Sequence, residues 1–416
     1  MLPPECLVTP SAASNTCEVL VIGAGPAGSA CAQVLAQAGV DVLLADQHAF
    51  PRDKTCGDGL IPDAQRALAR LGLLDEVLLR ARVVTHVGCI GPSGGRVDLP
   101  ARLAVLARRE LDDLLRREAM AHGARWLAPA RFEAPLLDGD GRAAGATLTL
   151  PDGSSHPVRA RWTVLATGAA AGPLLAAGVC DRRLPSGMAA RAYVRCEALA
   201  GQVAGLEVVW HRALRRGYGW IFPCPDGVFN IGVGLTRGRG AGAPPLAANL
   251  RELFDAFVRL HPAARELVAA GESLGPLKGA PLRCSLEGSR WSRPGLLVAG
   301  EAAGSTYLLS GEGIGKALEA GMLAAQAIAA GREARAPDTA VHARYEAGLR
   351  ALKPRFAAYA QANRINEHPW LADLLIWRAG RSRRVVRHLS EVLEETRSPS
   401  HLGTARGLLQ LLVSPG

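Results

Sequence analysis

Three glycines in Gly23-Ala-Gly25-Pro-Ala-Gly28 follow the apolar run 18–22 and open a helical stretch over 26–38. In that context the first glycine permits a tight turn, the second lets the backbone approach a pyrophosphate, and the third lets helix and strand pack closely. The helix N-terminus adds free N–H groups and the positive end of its dipole. Asp46, at the end of a second apolar run over 40–45, is placed to accept hydrogen bonds from an adenosine ribose. The expectation is a dinucleotide site, the competing reading a glycine turn without ligand. The motif serves FAD and NAD alike.

A second constellation separates the two. Leu296-Leu-Val-Ala-Gly-Glu301-Ala-Ala-Gly304 reads as a strand running into a glycine turn, and Gly311-Glu312-Gly313-Ile314-Gly315 opens another helix. An acid at the strand end suits a ribityl hydroxyl, and the helix dipole stabilises negative charge on a reduced flavin. Here the chain resembles the FAD-dependent oxidoreductases built on the p-hydroxybenzoate hydroxylase plan. Their usual pattern is GDAAG, a proline, then GEGI; Glu301 stands for the commoner Asp and Leu308 for the proline. The loop Phe50-Pro-Arg52-Asp-Lys54-Thr-Cys56-Gly-Asp-Gly-Leu60 is similar to the FPRxKxCGxGL pattern of the geranylgeranyl reductase-like group within that superfamily. The resemblance implies that the loop passes near the flavin, with Arg52 and Lys54 available to anionic groups and Cys56 towards the substrate; a small buried thiol is the other reading of Cys56.

Gly217-Tyr218-Gly-Trp220-Ile-Phe222-Pro223 carries that group's YxWxFP. In a strand Tyr218, Trp220 and Phe222 share one face, a wall suited to an apolar chain, a flat ring or the flavin itself, or else plain sheet packing. The group's proline three residues before the tyrosine is Arg215 here. Arg108 opens Arg-Arg-Glu-Leu-Asp112, where the superfamily often has RxxFD with the arginine against the cofactor; a solvated helix arginine is the alternative. Ala166-Thr-Gly168 resembles the ATG turn of flavoproteins, at a place where hydroxylases of this plan usually carry Asp-Gly. Gly232-Val-Gly234 lacks the third glycine of a nucleotide motif, and Gly315-Lys316 lacks the rest of a P-loop. One dinucleotide site is therefore expected. The cofactors are FAD and NAD(P)H or another transient electron donor.

These groups need a scaffold. The chain has 416 residues, enough for two to three domains at roughly 100–200 residues each. The pattern gives an α/β fold: a Rossmann-type FAD-binding domain over 17–182 and 278–345, interrupted by a β-sheet substrate domain over 183–277, with a helical C-terminal region over 346–416. Residues 80–100, hairpin material, join either the first domain or the substrate side. A single strand run is expected over 218–234 and a helix over 103–123. Residues 1–16 read as a loose leader rather than a signal peptide.

Lys+Arg exceeds Asp+Glu by 48 − 38 = 10, but only four of the basic residues are lysine, an arginine bias that argues against nucleic-acid binding. Nine scattered cysteines without a CxxC pair exclude a disulfide framework and zinc spacing, and no metal site is expected. A cytoplasmic location follows, with membrane association as the variant. Arg378, Arg381, Arg383, Arg384 and Arg387 form a solvated helix face or a dock for an acidic carrier protein or anionic lipid. Trp370, Leu371, Leu374, Leu375 and Trp377 cap an apolar tunnel or simply pack.

The leading expectation is reduction of carbon–carbon double bonds in an apolar isoprenoid, polyene or carrier-bound substrate. Cys56, Tyr218 and Trp220 are the candidate catalytic residues, the first two as proton donors. A flavin monooxygenase is the first alternative. A halogenase ranks lower, because no lysine lies between Lys54 and Lys278 to carry oxidised halide. A non-catalytic flavin-binding protein is the alternative of another class.

Overall fold

The apolar stretch before Gly23 forms the strand Thr16–Ile22, which the helix Pro26–Gln37 links to the strand Val42–Ala45. The two strands pair in parallel, Val19 opposite Val42 through Ile22 opposite Ala45. On the other edge Thr16–Ile22 pairs in parallel with Ser155–Leu165, which in turn takes Leu296–Val298. Such strands read as unbroken apolar runs because both their faces are covered. Val19 and Val21 pack under Pro26–Gln37, Ile314–Glu333 and Asp338–Ala362; Leu20 and Ile22 face the cluster of Leu174, Leu148 and Phe132. A computed structural model describes residues 15–214, 216–237, 249–404 and 407; residues 1–14 of the expected leader, Cys6 among them, and Arg215 lie outside the described residues, while Thr16, the leader's last residue, already belongs to the first strand.

A second sheet has nine strands, running from Glu272–Ser273 through Gly187–Arg195, Val228–Thr236, Gly217–Pro223, Leu206–Val209, Arg82–Ile90 and Arg96–Val105 to Gly59–Leu60. Lys278–Leu282 also pairs with Gly187–Arg195. The hairpin material after residue 80 thus belongs to this sheet, in parallel with Leu206–Val209.

Two local readings are corrected. The run 218–234 is not one strand but the hairpin Gly217–Pro223 and Val228–Thr236, turned at Asp226 and Gly227, which both have positive φ. The helix expected over 103–123 is the strand Arg96–Val105 followed by the helix Arg108–Ala121. Leu103 and Leu106 match a helical spacing, but Leu99, Ala101 and Leu103 are buried in strand alternation with exposed neighbours.

One face of the second sheet is covered by Leu250–Leu260 and Pro262–Ala270, with Ile221 and Phe257 in that core. The opposite face meets the C-terminal helices Arg364–Glu367, Trp370–Ala379 and Arg383–Leu393. The tail is fixed to the first layer by Glu395, whose fully buried carboxylate pairs with Lys316 at 3.1 Å and Arg355 at 2.7 Å. Among the described residues no helix is long and apolar enough to cross a membrane.

Candidate functional site

Two helix N-termini open onto one cavity of about 770 Å³ between the layers. Pro26–Gln37 presents Gly25, Pro26 and Ala27; Ile314–Glu333 presents Gly313 and Ile314. Neither has a side-chain cap or an acidic residue in its first turn, so their terminal N–H groups and positive dipole ends are left to a ligand. The turn between strand and first helix requires its glycines. Gly23 has φ +100°, and a Cβ on Gly28 would overlap the Gly23 carbonyl oxygen. Gly28 is accordingly the one glycine of the motif that packs the helix and does not line the cavity.

A Cβ on Gly25 would meet the guanidinium groups of Arg52 and Arg108, each at 3.7 Å, so both arginines face the backbone where a pyrophosphate would lie. Asp112 holds them there. It takes two hydrogen bonds from Arg108, both 2.7 Å, and pairs with Arg52 at 3.0 Å. Arg108 is therefore a buried, pinned cation rather than a solvated helix arginine. Asp46 accepts from the Ala24 N–H at 2.8 Å and the His48 N–H at 2.9 Å, which orients its carboxylate at the end of Val42–Ala45. Gly168 and Glu301 line the same cavity, with Glu301 accepting from the Thr306 hydroxyl at 3.3 Å. Thr167 also lines it, and its buried hydroxyl has no protein partner, which leaves it open to a polar ligand. Glycine turn, paired arginines, oriented acids, two open helix ends and the orphan Thr167 hydroxyl fit a flavin adenine dinucleotide.

Beyond the second helix end the cavity turns apolar. Tyr218, Trp220 and Phe222 do share one face of Gly217–Pro223, with neighbouring rings 6.2 and 6.3 Å apart. Gly232, on the adjacent strand, leaves the room that the Trp220 ring occupies. The Tyr218 hydroxyl donates to the Ser310 carbonyl, tying this wall to the turn before Gly311. Trp210 extends the row, 6.2 Å from Tyr218 and donating to Asn366 at 2.8 Å. It escaped the sequence reading, although Leu206, Val208 and Trp210 alternate as a strand face should.

Cys56 lies half-buried on the loop that crosses between these regions, and burial pushes its thiol pKa up. The loop is held to the second sheet. Asn230 donates to the Cys56 carbonyl and to Asp58, both at 2.8 Å, and the Tyr193 hydroxyl also donates to Asp58. Arg191 and Lys278 clamp Asp53 at 2.5 and 2.7 Å. Burial raises the Asp58 pKa to about 6.

Glu312 is the residue that sequence reasoning passed over inside a motif it had found. It lines the cavity between Gly311 and Gly313. Burial, and then the carboxylates of Asp63 and Glu395, push its pKa up to about 8. Nothing local signals this, since both acidic neighbours come from distant segments.

The tail contributes to the apolar end through Leu375 and its neighbours, among them Ala372, Ile376 and Leu389. The rest of the expected cap does not. Leu371 is buried away from the cavity, Leu374 is half-buried, and Trp370 and Trp377 point to solvent. Nor is the basic run one solvated helix face: Arg378 is buried at the end of Trp370–Ala379, and a new helix starts at Arg383.

Comparison with known proteins gives three findings. Residues 16–177 match the model of an FAD binding domain family. A menaquinone reductase of Mycobacterium tuberculosis is 35% identical over 336 residues, 75% of this chain and 76% of that protein, and a digeranylgeranylglycerophospholipid reductase of Methanopyrus kandleri is 31% identical over 316 residues, 74% of this chain and 79% of that one. Among solved structures, a geranylgeranyl bacteriochlorophyll reductase-like protein of Thermoplasma acidophilum superposes with TM-score 0.70 at 22% identity, covering 95% of this chain and 96% of that one; a flavin-dependent brominase does so with TM-score 0.71 at 19% identity, covering 91% and 93%.

Proposed function

The chain belongs to the geranylgeranyl reductase-like family of FAD-dependent oxidoreductases, and from that premise we propose that it reduces carbon–carbon double bonds of an extended apolar substrate, an isoprenoid or polyene. The observation that carries this reading is the continuity of the dinucleotide cleft with the aromatic row Trp210, Tyr218, Trp220 and Phe222 in a single cavity. When bound, FAD supplies the hydride for one alkene carbon. The protein must do the rest: hold the chain flat, exclude water and deliver a proton to the other carbon.

The aromatic row and the tail's aliphatic residues hold the substrate and keep water out. Of the protic side chains that line the cavity, Tyr218, Cys56 and Glu312 are the candidate proton donors. The Tyr218 proton is engaged by the Ser310 carbonyl, and burial raises its pKa well above the usual phenol range. That makes Tyr218 a positioning residue. The Cys56 thiol is also pushed up by burial. Glu312, neutral at physiological pH with a pKa of about 8, is the best-matched acid of the three, since a general acid works best with a pKa near the operating pH. Electrons come from NAD(P)H or another transient donor docking beside the flavin, and the substrate reaches the cavity from a membrane rather than on an acidic carrier protein.

The test is the product mass after turnover of a polyprenyl substrate by chemically reduced, FAD-loaded protein. Gain of two hydrogens supports the reductase. Gain of one oxygen would replace it with a monooxygenase, and protein that takes up no FAD would remove both readings.

A further inference from the structure

The two helices that wall the apolar end of the cavity have outer faces unlike the rest of the surface. On Trp370–Ala379, Ala372, Leu375 and Ile376 face inward, whereas Trp370 and Trp377 are 57% and 52% exposed. Seven residues separate them, two helical turns, so both indoles project from one side. The other five tryptophans are buried or half-buried. The Arg381 guanidinium lies over the Trp377 ring, 4.6 Å from its centroid. On Arg383–Leu393, Leu389, Val392 and Leu393 face the cavity while Arg383, Arg384 and Arg387 are exposed. Residues 374–390 contain no Asp or Glu.

Indole rings settle at the headgroup level of a bilayer, apolar body inward and N–H in water. Arginine forks match lipid phosphates, and each basic residue near an anionic surface strengthens attachment about fivefold. We propose that the outer faces of these two helices form a docking surface for an anionic lipid bilayer. The charge is complementary to lipid phosphate, and the tryptophans commit the face to a membrane: an acidic protein would be matched by the arginines alone. Docked this way, the protein has one helix thickness between membrane and cavity. That this thin wall serves substrate entry rests on the proposed alkene reduction; the docking itself does not.

Flotation of the full-length, FAD-loaded protein with vesicles tests it. Binding is expected to equal mixtures of phosphatidylcholine and phosphatidylglycerol, weakening with added salt, and not to phosphatidylcholine alone. Changing Arg381, Arg383, Arg384 and Arg387 together to Gln is expected to lower the partition coefficient by roughly 600-fold, about fivefold for each charge. Trp370→Ala with Trp377→Ala is expected to lower it roughly tenfold and to abolish quenching of the protein's fluorescence by brominated lipid. All six side chains are exposed, so FAD content and thermal unfolding should stay as in the parent. Absence of binding to anionic vesicles, or binding unchanged in both variants, would overturn the proposal. So would arginine-dependent capture by an acyl carrier protein without vesicle binding. Vesicle binding without any alkene reduction would leave the docking surface standing and remove the reductase reading instead.

Discussion

Trp220 donates its indole N–H to Asn230 Oδ1 at 2.8 Å, and the other end of the same amide donates to the Cys56 carbonyl and the Asp58 carboxylate. The aromatic wall and the loop carrying Cys56 are therefore one hydrogen-bonded unit. Trp220 itself is only 5% exposed. Asn230→Leu leaves the indole N–H and Asp58 short of partners in a buried setting, at about 1–3 kcal/mol for each unsatisfied group. A lower thermal midpoint and a more reactive Cys56, read by thiol labelling, are the expected results; labelling at the parent rate would show that the loop is held by other contacts.

Trp220→Ala should reduce turnover of a polyprenyl substrate far more than it reduces bound flavin. Flavin content and turnover per flavin are to be measured on the same preparation. If flavin is lost while turnover per flavin is unchanged, the ring packs against the cofactor and not the substrate.

Glu312→Gln retains the shape of the side chain and removes its proton. With Glu312 as the acid, turnover should fall by roughly 10²–10⁴-fold with flavin reduction intact. In the parent, activity should decline as pH rises through about 8, where the carboxyl ionises. Stability should follow the same sign. The folded-state pKa is raised above the unfolded value, so the group's contribution is complete below the ordinary carboxylate range and is lost as pH rises through about 8. The Gln variant should lack both pH dependences. A parent-like turnover and pH profile in the variant would remove Glu312 as the proton donor.

Asp112→Asn removes the carboxylate paired with Arg108 and the nearer of the two paired with Arg52, the other being Asp46. Removing one partner of a buried ion pair costs about 3–5 kcal/mol. Both arginines should also leave their places beside Gly25, so the FAD dissociation constant should rise, measured by fluorescence titration of the apoprotein. Unaltered FAD affinity would mean that these cations do not meet the pyrophosphate.

The parts of this site that were legible in the sequence are those whose geometry is local. Gly23, Gly25 and Gly28 specify their own turn, and Tyr218, Trp220 and Phe222 share a face through strand periodicity alone. What stayed hidden depends on distant partners. The acidity of Glu312 is set by burial and by Asp63 and Glu395; the place of Trp210 follows from the distant strand Arg82–Ile90, whose Ile90 carbonyl accepts from the Trp210 backbone N–H at 2.9 Å, and from Asn366. Fold errors had a related origin. Leu103 and Leu106 sit at a helical spacing, but Leu103 belongs to a strand paired with Arg82–Ile90 and Leu106 to the turn after it, so the second sheet decides the matter. The outward tryptophans were misassigned because an aromatic residue on an amphipathic helix is ordinarily core.

Because Ala372, Leu375, Ile376 and Leu389 close the cavity's far end, the last helices also act as a ruler. For the isoprenoid substrate proposed above, the depth they leave would set how far the chain slides in, and so which of its repeated olefins stops opposite the hydride source. A bulkier side chain at residue 372 would move the stop by about one isoprene unit without touching the redox half. Regioselectivity in this protein would then reside in the segment most remote in sequence from its nucleotide turn.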